Sequence, residues 1–215
     1  MALMKSSQIP EDAVVLTEHE ATEYVWSIVY NWEPVSDVWA LRSGAVCLGV
    51  INAVSGAIMN RHYRNKLKLG TYGYFSSVIP LTLMPGSLTA LFHRYIVSSD
   101  LLLLKNNHCP ICYEVRSGAV QVGLGLVYPM ILAPLTSLML TNKYNTARIP
   151  EITQPKALLQ LVRKMTRPFT GTLAVISIIQ VVASSIITYF EVKNSLILHE
   201  KMLEIERKAV EKYGK

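Results

Sequence analysis

Four stretches of this chain contain no Asp, Glu, Lys or Arg: residues 43–60, 69–92, 117–142 and 168–190. Each is 18 to 26 residues long, and a helix needs about 20 apolar residues to cross the hydrocarbon core of a bilayer. A buried helix of a soluble protein keeps a polar face at a period of 3.6 residues. These windows carry no charged face. The pattern predicts four transmembrane helices, at about residues 42–60, 71–97, 117–142 and 169–190. Composition agrees: of 215 residues, 51% are hydrophobic and 17% charged, against about 25% charged in soluble domains. The fold class expected is an all-α membrane protein.

The flanks divide the chain further. Residues 1–40 form an acidic N-terminal segment, residues 41–190 the four-helix transmembrane domain, and residues 191–215 a charged C-terminal helix. Pro10-Glu11-Asp12 reads as a helix start, with Pro near the first position and acids in the first turn. Tyr24, Trp26, Tyr30, Trp32 and Trp39 gather before the first span. Aromatic rings favour the headgroup level, so a helix lying on the membrane is expected there. The run Leu101–Leu104 is too short to span and is expected at the interface. In the tail, Leu198, Met202, Ile205, Ala209 and Tyr213 form one helical stripe, so both terminal helices are amphipathic. The acidic start lacks the Arg-rich composition of a mitochondrial presequence.

One motif recurs. Arg42-Ser43-Gly44-Ala45-Val46 reappears as Arg116-Ser117-Gly118-Ala119-Val120, each time at the entry to a Gly-rich span. Two similar helical hairpins in the same orientation produce such a repeat, and duplicated membrane folds are common among transporters. A small solute carrier is therefore one functional class. The predicted spans hold no ionisable carboxylate or amine, and such groups mark ion pathways and proton relays; this argues against a proton-coupled carrier. His93 and Arg94 stand at the end of the second span, where snorkelling is expected.

Charge sets the expected orientation. Residues 60–70 sum to +4 through Arg61, Arg64, Lys66 and Lys68. Residues 142–168 sum to +5, with Lys143, Arg148, Lys156, Arg163, Lys164 and Arg167 against Glu151. The first forty-one residues sum to −6. Excess Lys and Arg marks the cytoplasmic or matrix face, so both termini fall on the opposite side. Basic loops beside a membrane meet acidic lipid headgroups or protein partners. Arg61, Arg64, Lys66, Lys68, Lys143, Arg148, Arg163, Lys164 and Arg167 are the candidate contacts, and nucleic acid is not expected.

Small residues on the spans suit close helix packing, which drives association in lipid; Gly44, Gly49, Gly56, Gly118, Gly123 and Gly125 are the candidates. The chemistry-bearing cluster is Cys109-Pro110-Ile111-Cys112. Three readings stay open for it: a structural disulfide or packed thiols, a redox-sensitive pair, or part of a shared metal site. No thioredoxin-like pattern surrounds it, and His108, Cys109 and Cys112 fall short of the four ligands of a structural zinc site. The histidines are scattered, and phosphate loops, nucleophile elbows and dinucleotide fingerprints are absent. No enzyme activity, metal or cofactor is expected.

Cys109-x-x-Cys112, then Arg116-Ser117-Gly118, a Gly-rich span and Tyr128-Pro129 resemble the second half of the transmembrane protein 126 family. The small-residue first span followed by Arg61–Arg64, and the Pro-containing second span, follow the same family order. The likeness covers roughly residues 40–190 and is strongest over 109–150. It implies a multi-pass protein of the mitochondrial inner membrane that acts as an assembly factor for respiratory complex I. The partners it implies are membrane-arm subunits, the ECSIT scaffold protein, an acyl-CoA-dehydrogenase-derived assembly factor and the complex I intermediate-associated protein. One branch of the family serves the proximal part of the membrane arm and its sister the distal part.

Overall fold

A computed structural model describes residues 16–103, 109–150 and 154–213. Among them all regular structure is helical. The helix start expected at Pro10 lies outside the described residues.

Helix α1, Glu18–Asn31, opens with a reciprocal cap. The Thr17 hydroxyl accepts from the Glu20 N–H at 3.4 Å, and the Glu20 carboxylate accepts from the Thr17 N–H at 2.8 Å. Two orphan donors of the first turn are thereby satisfied. Four helices are long and apolar enough to span a membrane. They are α2 (Trp39–Lys66), α3 (Tyr74–Leu102), α4 (Pro110–Tyr144) and α6 (Thr170–Tyr213), with the short α5 (Pro155–Thr166) preceding α6. Pro110 and Pro155 begin α4 and α5 where a missing N–H costs nothing. The turn from α2 to α3 uses left-handed backbone at Lys68, Gly70 and Gly73.

Helices α2 and α4 form the inner pair, each packed against the other three spans. Helices α3 and α6 occupy the two tips. The arrangement is that of two hairpins, α2–α3 and α4–α6, with the inner helices of each in contact, as the repeated motif predicts.

Polarity is reversed relative to a soluble protein. Val46, Val50 and Val54, each more than half exposed, form an outward stripe on α2. The inward stripe of α6 reads Gln180, Ser184, Thr188, Glu191, Asn194, Ser195. Apolar plugs seal the bundle at both ends. One gathers Met59, Tyr63, Leu67, Leu69, Leu81 and Phe169 around the amphipathic α5. The other gathers Val97, Leu101, Leu102, Tyr113 and Leu198 beneath α1.

Three expectations gain detail. Helix α1, expected on the membrane surface, is seated on the bundle end, where Val25, Trp26 and Val29 are buried. The aromatic patch thus splits, Trp26 facing inward while Tyr24 and Tyr30 stay exposed. Leu101 and Leu102 belong to the core rather than to the interface. The tail is helical through Tyr213, as expected, and continues α6 from Thr170 without a break.

Candidate functional site

A polar seam fills the middle of the bundle, built by one inward stripe from each span. In its first layer the Asn52 amide donates to the Thr89 hydroxyl at 2.6 Å and to the Gln121 carbonyl at 3.4 Å. The Gln121 amide donates to Gln180 Oε1 at 2.6 Å, and the Gln180 amide donates to the Ser55 hydroxyl at 2.7 Å. These five side chains join all four spans. A hydrogen bond in a low-dielectric interior is stronger than in water, and a polar atom left unpaired there is costly. Asn52 Oδ1 and Gln121 Oε1 have no protein donor.

The second layer is ionisable. His93 Nε2 lies 2.9 Å from Glu191 Oε2, with side chains 1% and 0% exposed. Ser98 donates to Glu191 Oε1 at 3.2 Å, and the Ser117 hydroxyl meets His93 Nδ1 at 3.3 Å. The Cα of Gly44 faces the same carboxylate: a Cβ there would stand 3.1 Å from Glu191 Oε1. Helices α3, α6, α4 and α2 therefore all reach this pair. The two copies of the repeated motif flank it, Gly44 from the first and Ser117 from the second.

This layer corrects two expectations. His93 does not snorkel, and the buried interior does hold an ionisable carboxylate. The charge-free window ends at Phe190, but the helix and its inward face continue through Glu191. The signal that finds Glu191 is its place on the Gln180–Ser184–Thr188 stripe at helical spacing.

π-helical stretches adjoin the seam. They run over Ile79–Leu83 and His93–Ser98 in α3 and Gly123–Val127 in α4. Such wide turns recur at functional sites. The second begins at His93 itself. The other two are tied together by Tyr128, whose hydroxyl donates to the Pro80 carbonyl at 3.0 Å.

The candidate packing glycines divide. A Cβ at Gly49 would stand 2.5 Å from the Gly86 carbonyl, and one at Gly56 would overlap the Leu81 carbonyl. Pro85 has no N–H to return to that carbonyl four residues back, which leaves it turned toward Gly56. A Cβ at Gly44 would meet Ile187 at 2.7 Å, and one at Gly125 would overlap the Asn52 amide. At Gly118 a Cβ would make ordinary contact with Ser184, and at Gly123 it would meet nothing within 4 Å. Gly44, Gly49, Gly56 and Gly125 thus serve contacts within this chain.

Of the candidate basic residues, Arg61, Lys66, Lys68, Lys143, Arg148, Arg163, Lys164 and Arg167 are exposed at one end of the bundle. Arg64 departs from them. It is 4% exposed and donates to the carbonyls of Gly70, Tyr72 and Gly73 and to the Ser77 hydroxyl, at 2.7 to 3.4 Å. It holds the α2–α3 turn. Its neighbour His62 stacks on Phe169 at 4.1 Å between ring centroids.

Cys109 and Cys112 are disulfide-bonded across the first turn of α4. Cys47 is exposed on α2. No group of three metal-ligating side chains stands together among the described residues.

Comparison with known proteins extends the resemblance beyond residues 40–190. The family model described as Transmembrane protein 126 matches residues 25–207. The chain is 37% identical over 210 residues to Transmembrane protein 126 of Drosophila melanogaster, covering 97% of this chain and 94% of that one. It is 30% identical over 118 residues to Transmembrane protein 126A of Rattus norvegicus, covering 55% of this chain and 59% of that one. With Transmembrane protein 126A of Homo sapiens it shares 29% identity over 120 residues, covering 56% and 60%. No solved structure matches the chain.

Proposed function

Because this chain belongs to the transmembrane protein 126 family, we propose that it is an assembly factor for respiratory complex I in the mitochondrial inner membrane. It acts without catalysis or cofactor, docking and stabilising membrane-arm intermediates. Its companions are the ECSIT scaffold protein, the acyl-CoA-dehydrogenase-derived assembly factor and the complex I intermediate-associated protein. The basic end faces the matrix and meets anionic inner-membrane lipid; both termini face the intermembrane space.

The observation that carries the reading is the exposed end of α6. Leu198 is buried and Met202 half-buried against the α1 seat, and beyond them Leu203, Ile205, Arg207 and Lys208 are exposed. A long helix that leaves the bundle with mixed apolar and charged positions suits docking better than solvation alone. Gly44, Gly49, Gly56 and Gly125 are occupied inside the bundle, so clients meet its outer surface: the valine stripe of α2, the basic end and this tail.

Capture of the tagged chain from mitochondria in mild detergent tests the reading. Recovery of complex I membrane-arm subunits with the companion factors is the expected result. Recovery of none, together with solute flux in liposomes, would replace it with the small-carrier reading, which the buried polar seam favours. A redox role is tested by replacing Cys109 and Cys112 with Ser; full complex I assembly in that variant removes it.

A further inference from the structure

The His93–Glu191 pair is buried between α3 and α6. It joins the two tip helices. Immediately beyond it, α3 carries Val97, Ser99, Leu101 and Leu102, and α6 carries Leu198 and Met202. Those side chains form the seat of α1, whose Trp26 donates to the Ser99 hydroxyl at 3.2 Å. The register of α3 against α6 at the pair therefore sets the shape of the seat.

The surroundings of the pair are polar but uncharged. On α6, Thr188, Asn194 and Ser195 flank Glu191 at helical spacing, each buried with an atom that has no protein partner: Thr188 Oγ1, Asn194 Nδ2 and Ser195 Oγ. Of the other charged groups nearby, Glu114 is half-buried one turn before Ser117 on α4, and the rest are exposed or engaged elsewhere. On α2, Arg42 donates to the carbonyls of Val29 and Trp32. On α3, Arg94 lies over the Trp26 ring at 4.1 Å and donates to the Tyr30 hydroxyl. Asp100 pairs with Arg116 of α4 at 2.5 Å. On α6, His199 meets the Ser195 carbonyl at 2.8 Å, and Lys193 is exposed.

We propose that His93 and Glu191 form a proton-binding site inside the bundle, and that its occupancy governs the seating of α1. With one proton the pair is neutral overall, whether written as imidazolium and carboxylate or as imidazole and carboxylic acid. Release of that proton to water leaves a neutral imidazole donating Nε2–H to a carboxylate, a net charge of −1 buried among uncharged groups. Burying an uncompensated charge is strongly unfavourable. The site relieves it by parting α3 from α6 and admitting water, which unseats α1. An ionisable group buried in a membrane helix with a specific partner is the usual mark of such a site.

The test uses the full chain in lipid nanodiscs, without any partner, so its outcome is independent of the assembly reading. Hydrogen exchange of α1, corrected for the intrinsic pH dependence of exchange, is followed from mildly acid to alkaline pH. Protection is expected to fall about tenfold or more when the pair loses its proton. The ring nitrogens of His93, followed by 15N NMR in the wild-type chain, are expected to change in the same step. Glu191→Gln removes the carboxylate and keeps the shape; there the step in α1 protection disappears. Protection of α1 that stays flat with pH in the wild type overturns the proposal. So does a step that persists in Glu191→Gln, or a His93 signal that stays fixed while α1 opens. Should Glu191→Gln fail to fold, the two wild-type measurements decide alone.

Discussion

At the scale of single residues, two glycines and two arginines separate roles that their composition does not. Gly56→Ala drives a methyl into the Leu81 carbonyl, and a backbone carbonyl cannot swing aside as a side chain can. Overpacking of this kind costs about 1–3 kcal/mol, so a clear fall in thermal midpoint in nanodiscs is expected. Gly123→Ala enters open space and is expected to move the midpoint little, staying within about 0.5 kcal/mol. Among the arginines, Arg64→Leu leaves the Gly70 and Tyr72 carbonyls and the Ser77 hydroxyl without their donor, at about 1–3 kcal/mol for unsatisfied groups. The same change at exposed Arg61 is expected to spare stability and instead weaken binding to anionic vesicles, read by co-sedimentation. The sequence shows that small residues recur at helical spacing, and that much was legible. Which of them touch a neighbour depends on the rotation of each helix, which no single span encodes. Arg64 and His93 were misread for one reason: both follow or close an apolar run, so each looked like a membrane-edge charge. Their helices carry the side chains back into the interior.

At the scale of elements, the existence of the spans was legible because the bilayer excludes charge over a fixed thickness. Their ends were not, because a helix continues past the membrane wherever packing supports it. Helix α6 passes Phe190 because Glu191, Asn194, Ser195 and Leu198 are all buried against neighbours. The π-helical turns were equally hidden: Pro80, Pro85 and Pro129 announce a disturbed ladder, but neighbouring helices decide how it is repaired. Helix α1 is the element whose placement changed most, and its stability is open to test. Thr17→Ala removes the capping hydroxyl at a cost of about 1 kcal/mol, expected as faster hydrogen exchange confined to the first turns of α1. Acid acts in the same place. The backbone and side-chain hydrogen bonds from Thr17 hold the Glu20 carboxyl below its ordinary value. Likewise the hydrogen bond from Lys201 lowers Asp37, which ties the α1–α2 connection to α6. A carboxylate lowered on folding contributes stability above its unfolded value, and loses it as pH falls through its folded value. Protection of α1 is therefore expected to decline on acidification below the ordinary carboxylate range. Asp37→Asn is expected to remove the Asp37 part of that decline and leave the Glu20 part.

At the scale of the whole molecule, the bundle is closed on itself and its ends differ. Nine exposed basic residues crowd one end, Lys156 among them, while the other carries α1, the Cys109–Cys112 turn and the outgoing α6. The polar seam and the close glycine crossings hold the four spans together without help from a client. On the proposed assembly role, binding uses surface that folding does not need, and α6 offers such surface in a separable form. Leu198 and Met202 belong to the seat of α1, so a chain ending after Met202 keeps every side chain of that seat. What it loses is Leu203, Glu204, Ile205 and the charged positions beyond, including the Glu204–Lys208 pair at 2.7 Å. That pair is exposed and spans one helical turn, so its loss alone is expected to cost little stability. The truncated chain is therefore expected to match the full chain in thermal midpoint and in α1 protection. It is also expected to recover markedly less of the complex I intermediates in detergent capture. Equal recovery would move the docking surface to the valine stripe of α2 or to the basic end. Replacing Val46, Val50 and Val54 by Ala, and Arg163, Lys164 and Arg167 by Gln, separates those two. Unfolding of the truncated chain would instead show that the tail is part of the bundle, and that the midpoint, not the capture, is what the charged end of α6 protects.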